Sequence, residues 1–196
     1  MMIVLKDKNN NMYALRKYDD FQKEYNGNPD SMLNDSFCKK INDDLYICAR
    51  VLGIEFMLLE DILKEGNYTK ITDSIIMKKI LPRLKLHLSE IYRSSNKSFS
   101  NRRLNIIYKG VIYEITTSGI YTINHNFSII VSNTPNRLFI LGLLELYKDL
   151  PGDIALKKIS KLVNIYNIKD DKYALYNFQN NQLSFLEVDD EFNNCL

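Results

Sequence analysis

The apolar residues of this chain change period in blocks, and the order of those blocks restricts the fold more than any single motif does. Met2-Ile3-Val4-Leu5-Lys6 and Met12-Tyr13-Ala14-Leu15-Arg16 flank the turn formers Asp7-Lys8-Asn9-Asn10-Asn11, which is a hairpin signal. Leu45-Tyr46-Ile47-Cys48-Ala49 adds a buried strand. Beyond Gly53 the period lengthens: Phe56, Leu59, Ile62 and Leu63 recur at helical spacing until Gly66-Asn67 ends the run. Met77, Leu81, Leu84, Leu88 and Ile91 then lay one stripe along a longer helix, in which Pro82 predicts a kink or two abutting helices near Leu81.

Strand patterns return at residues 104–108, 111–115, 120–123 and 127–131, the last of them closing a meander. Thr134-Pro135 opens a third helix. Residues 138–146 are apolar on almost every side, so this helix is expected to be among the most buried. Pro151-Gly152 separates it from a fourth, whose inward stripe is Ala155, Ile159, Leu162, Val163 and Tyr166. Two strands, 173–176 and 183–185, close the chain around Gln179-Asn180-Asn181.

Strands grouped in this way, rather than alternating singly with helices, call for an α+β fold of two antiparallel sheets packed together with helix pairs outside. A single antiparallel sheet with helices on one face also satisfies the order. With 196 residues, 45% of them hydrophobic, and neither an internal repeat nor a linker, one domain spanning 1–196 is expected, its acidic tail frayed from Glu187.

The net charge of +2 gives no overall pull toward nucleic acid or membrane. Locally the charge is uneven. Between Lys70 and Arg103 nine Lys or Arg stand against Asp73 and Glu90, whereas residues 169–196 hold two Lys against six acids. Cys38, Cys48 and Cys195 form an odd set without C-x-x-C spacing, and only His87 and His125 are available as nitrogen ligands. Neither a disulfide framework nor a metal site is expected, and no cofactor motif is present. No leader and no run of about 18 apolar residues occurs, so the expected location is the cytoplasm. His87 lies beside the apolar stripe of its helix and reads as a partly buried structural residue.

Several segments carry a resemblance. Lys39-Lys40-Ile41-Asn42-Asp43-Asp44 leads through an Asn-Asp type turn into a small-residue strand, Ile112-Tyr113-Glu114-Ile115 and Ser118-Gly119-Ile120-Tyr121 form paired strands around a glycine turn, residues 127–133 precede a helix, and Leu150-Pro151-Gly152-Asp153-Ile154-Ala155 joins two helices. Together with the element order, they resemble the proteasome β-subunit and HslV-like family of N-terminal nucleophile hydrolases. That resemblance implies a four-layer αββα sandwich. It also implies a terminal Thr, Ser or Cys whose own amine serves as base, with a lysine and a carboxylate nearby.

Here the expected site departs from that chemistry. Met1 and Met2 offer no nucleophile, Arg16 stands where the resemblance places an aspartate, Lys40 (or Lys39) retains the lysine, and Ser132 matches a supporting serine. Met2, Arg16, Lys40 and Ser132 are therefore expected to line a vestigial pocket with no catalytic residue. The resemblance implies a non-catalytic subunit that acts by assembly or binding, as a homo-oligomer or hetero-oligomer or with another protein partner. An alternative is a divergent hydrolase in which Lys40, Ser132 and Ser128 converge. A further alternative is an adaptor for nucleic acid or another anionic partner through Lys78, Lys79, Arg83, Lys85, Arg93, Lys97, Arg102 and Arg103, although a basic helix face is common without a ligand.

Overall fold

The computed structural model describes residues 1–17, 37–95, 102–131, 134–167 and 172–186. The loop at 18–36, Lys97, Ser132, Asn133 and the acidic tail lie outside the described residues. Contacts sort the chain into two units, Met1–Ser36 with Ile129–Leu196, and Phe37–Ser128.

The first unit begins with β1 (Met2–Lys6) and β2 (Met12–Lys17), paired antiparallel in a register that sets Met2 opposite Arg16 and Lys6 opposite Met12. Asp7 builds the turn: its Oδ1 accepts from the amides of Asn9 and Asn11, each at 2.9 Å, while Asn10 takes the left-handed conformation at φ 64°. The closing strands β9 (Tyr173–Asn177) and β10 (Gln182–Leu186) extend this sheet, with β9 antiparallel to β2. The strand Phe127–Ile130 lies beside β1, giving the order β10-β9-β2-β1-β8 when the strands are numbered along the chain. The meander expected to end in this strand therefore stops one strand earlier.

Helix α3 (Thr134–Leu146) and helix α4 (Gly152–Asn167) belong to the same unit. α4 packs on β2 and β9 through Ala155, Leu156, Ile159 and Val163. Ser160 and Asn164 share that buried face, and Asn164 Oδ1 accepts from the buried Tyr173 hydroxyl at 2.9 Å. Tyr166, expected to point inward, is 54% exposed and stacks on Phe139 of α3 at a centroid distance of 4.4 Å. The expectation for α3 is also corrected. Among its described side chains Ile140, Leu143 and Leu144 are buried, and Leu138 and Leu146 are 64% and 68% exposed. A helix resting on one neighbour buries one stripe however apolar its other sides are.

The second unit holds β3 (Cys38–Asn42), β4 (Leu45–Ala49), β5 (Arg103–Tyr108), β6 (Val111–Thr116) and β7 (Tyr121–Asn124), all antiparallel and in chain order across the sheet. β3 was not legible as a strand, because Cys-Lys-Lys-Ile-Asn shows neither strong alternation nor β-branched enrichment. Between β5 and β6, Lys109 and Gly110 both hold positive φ, 48° and 74°, the requirement of a two-residue type I′ hairpin. Two sheets thus replace the single-sheet alternative.

Helix α1 (Ile54–Gly66) ends where Asn67 turns left-handed and donates to Lys64 O. The long helix α2 consists of an α-helical turn Asp73–Ile75, a π-helical turn Ile76–Ile80 and an α-helix Leu81–Ser95. Thr72 Oγ1 caps it by accepting from Ile75 N. The disturbance expected from Pro82 takes the form of that π turn. Pro82 has no N–H for an ordinary helical bond and its ring crowds the carbonyl four residues back; the wider turn, with Leu81 N–H bonded to Ile76 O, absorbs the misfit.

The extra residue also rotates the stripe. Ile76 and Ile80 become fully buried and Met77, expected in the core, is 50% exposed. Leu81, Leu84 and Leu88 remain inward as expected. They join Phe56, Leu59, Ile62 and Leu63 of α1 over Leu45, Ile47, Leu104, Ile106 and Ile115 of the sheet, each buried aliphatic side chain contributing about 1.5–3 kcal/mol of transfer free energy. Among the described residues no helix is long and apolar enough to cross a membrane.

Candidate functional site

Strand alternation in the second unit places Cys38, Cys48, Asn105, Glu114 and Thr122 in one row across β3 to β7, on the face turned away from α1 and α2. Aliphatic neighbours occupy the helix-covered face, so this row is where the sheet concentrates its polar chemistry. Cys38, Cys48, Asn105 and Glu114 are all buried.

Cys38 and Cys48 stand directly opposite each other with Cα atoms 4.2 Å apart, and they are joined as a disulfide. This corrects the expectation drawn from the odd cysteine count. Cross-strand placement, which neither the count nor the ten-residue spacing reveals, brings the two sulfurs together.

Next in the row, Ser128 Oγ lies 3.1 Å from Asn105 Oδ1 and 2.9 Å from Glu114 Oε2. One hydroxyl proton cannot serve two acceptors. The carboxylate, the stronger acceptor and the nearer one, takes it, while the Asn105 amide nitrogen is buried without a hydrogen-bond partner among the described residues. Glu114 Oε1 receives Arg103 NH1 at 3.1 Å. The network runs Asn105 to Ser128 to Glu114, with Arg103 on the far carboxylate oxygen. Ser128 is 2% exposed, so its oxygen is not presented to a substrate.

Of the expected vestigial pocket residues, Met2, Arg16 and Lys40 are among the described residues and Ser132 is not. Met2 and Arg16 are cross-strand partners in the first unit and are both fully buried. Lys40 lies on β3 of the second unit, half-exposed and 2.9 Å from Asp43. The hydrogen bond from Lys40 pulls the Asp43 carboxyl below its ordinary range, and the same bond raises the Lys40 ammonium. A lysine acting as base needs the opposite shift. The partner of Lys40 is Asp43, whereas those of Ser128 are Asn105 and Glu114. Neighbouring Lys39 is engaged with Glu60 of α1 at 2.8 Å.

Among the basic candidates, Arg102 NH1 meets the buried Glu55 at 3.3 Å, Arg103 meets Glu114, and Arg83 meets Glu65 at 2.6 Å. Lys78, Lys79, Lys85 and Arg93 are exposed along α2. His87 is half-exposed, with Nδ1 3.6 Å from Glu90. Sequence reasoning missed Glu55, Asn105 and Glu114. A carboxylate at an otherwise apolar strand or helix position was the available signal, because a buried charge requires a partner.

Among the described residues no three His, Cys, Asp or Glu side chains converge as a metal site. No protein-family model and no curated protein matches this sequence.

Proposed function

We propose that this chain is a non-catalytic, proteasome-subunit-like protein with the four-layer αββα arrangement, acting by assembly or binding rather than by hydrolysis. The observation that carries the proposal is the pairing of Met2 with Arg16. Where the resemblance implies a nucleophile beside a carboxylate, β1 carries only Met, Ile, Val, Leu and Lys, and the residue opposite Met2 is a fully buried arginine. Methionine has no proton to lose and no attacking lone pair suited to acyl transfer. Function resides in sites rather than folds, so the implied peptidase chemistry does not transfer.

Two further features support this reading. Two five-stranded antiparallel sheets and two helix pairs are the components such a sandwich requires. Exposed large apolar residues also lie on the helices, with Met57, Met77 and Leu86 in one unit and Leu138, Leu146 and Ile165 in the other. Exposed apolar side chains on helices are available for protein contacts.

The test combines the solution mass of the purified chain by light scattering with a peptidase assay on a fluorogenic peptide panel. A mass of several 23.0 kDa copies without turnover is expected. Turnover that tracks the purified protein and is lost in Lys40→Ala would overturn the non-catalytic reading.

A further inference from the structure

Independently of how copies of the chain assemble, we infer that the Cys38–Cys48 bond is a reversible thiol–disulfide switch, opened by a dithiol reductant, that fixes β3 when oxidised and loosens it when reduced. β3 is the edge strand of its sheet and the first element of its unit, so it can leave β4 without displacing another strand. Of its five residues only Cys38 is buried, and its pairing with β4 shifts register between Lys40 and Asn42. At its start Phe37 O accepts from Ala49 N at 3.0 Å. Lys39 ties it to α1, pairing with Glu60 at 2.8 Å and standing 5.7 Å from the centre of the Phe56 ring.

Asn105 supplies a second observation. It stands directly opposite Cys48 on β5, in the same row, and is fully buried, yet its amide nitrogen has no hydrogen-bond partner among the described residues. Its oxygen is directed to Ser128, which is bonded to Glu114, the neighbour of Asn105 on β6. A buried donor without an acceptor is costly and needs a reason. A sulfur held in a disulfide accepts an N–H poorly, whereas a thiol and above all a thiolate accepts it better. Reduction therefore offers Asn105 a partner in Cys48 that the oxidised pair withholds, and this difference draws the equilibrium toward the dithiol.

The reductant balances the step. One of its thiolates attacks a sulfur of the pair, the S–S bond breaks, and the released cysteine takes up a proton. The second thiol then resolves the mixed disulfide, so two electrons and two protons pass from the dithiol to Cys38 and Cys48, and the reductant is left as a disulfide. Cys38 and Cys48 are 1% and 0% exposed, so attack requires β3 to lift. An edge strand opens locally, without unfolding of the whole chain.

The experiment equilibrates the full chain, in a Cys195→Ser background, with dithiothreitol redox buffers, counts free thiols by alkylation and mass, and follows amide hydrogen exchange in the two end states. Amides of β3 are expected to exchange at least ~10-fold faster after reduction, while those of β5 and β6 stay protected. Asn105→Leu, which removes the donor, is expected to shift the equilibrium about 10-fold toward the disulfide, roughly 30 mV. Lys39→Ala, which unties β3 from α1, is expected to speed reduction about 5-fold, and Gly152→Ala, which disturbs the other unit, to leave its rate unchanged. Equal acceleration by Lys39→Ala and Gly152→Ala, β3 exchange that is the same in both redox states, or an Asn105→Leu equilibrium within about twofold of the parent would each overturn the switch. Should Asn105→Leu fail to fold, the exchange and Lys39→Ala measurements decide by themselves.

Discussion

Asp7 Oδ2 lies 3.3 Å from the backbone nitrogen of Gly152, 145 residues further along the chain. One carboxylate therefore shapes the first hairpin through Oδ1 and receives the first residue of α4 through Oδ2, where negative charge also suits the helix dipole. Asp7→Ala is expected to destabilise the fold by about 2 kcal/mol, since the hairpin amides and the α4 amide lose their acceptor together. Asp7→Asn, keeping one oxygen, is expected to lose about half as much. Urea denaturation checks both. Gly152→Ala provides an independent probe, because its Cβ would come within 2.4 Å of the Tyr13 ring.

Glu60 gives the fold a pH dependence. Burial pushes its carboxyl up, but hydrogen bonds from Lys39 and Lys64 outweigh burial, and the net shift is downward. A carboxyl lowered in the folded state contributes stability that is present above the ordinary glutamate value, about 4.3, and is lost as pH falls through the folded value. Glu60→Gln is therefore expected to cost about 1 kcal/mol at neutral pH and nothing once the wild-type carboxyl is protonated. Thermal melts of both proteins between neutral and acid pH measure the convergence.

Glu55 is a buried carboxylate whose two oxygens are occupied by the Tyr92 hydroxyl at 2.7 Å and Arg102 at 3.3 Å. Removing Arg102 leaves that charge with one neutral donor, so Arg102→Ala is expected to cost about 2–3 kcal/mol. Tyr92→Phe, which removes only a hydroxyl, is expected to cost about 1–1.5 kcal/mol. The single variants and Tyr92→Phe/Arg102→Ala form a cycle in which coupling between the two partners appears as non-additivity in denaturant melts.

The Cys38–Cys48 bond ties the edge strand β3 to β4 across a sequence separation of 10. Closing so short a loop removes about 2–3 kcal/mol of unfolded-chain entropy. Cys38→Ser/Cys48→Ser is expected to lower stability by that amount, and the wild-type mass under non-reducing, denaturing conditions is expected to fall about 2 Da below the reduced mass. Equal masses would remove the bond and its contribution together.

Much of the architecture was legible. The hairpin around Asp7, the end of α1 at Asn67, the break near Pro82 and the β5–β6 turn at Lys109-Gly110 all rest on local chemistry that a linear sequence displays directly. The site was less legible. Arg16 was found as a departure from a pattern and Lys40 as a position the pattern retains, whereas Glu55, Asn105 and Glu114 were passed over because each lies inside an ordinary apolar segment, and Ser128 entered only as a companion to Lys40.

By itself the sequence determined most of the strands and helices, β3 excepted, because period, turn residues and caps act over a few positions. The tertiary structure decided what those elements face. It set Met2 against Arg16 and Cys38 against Cys48 through strand register, rotated Met77 outward through a π turn, and left Leu138 and Leu146 uncovered because α3 buries only one stripe. Register and burial depend on partners distant along the chain, and hydrophobic burial is proportional to area without naming the surface that covers it.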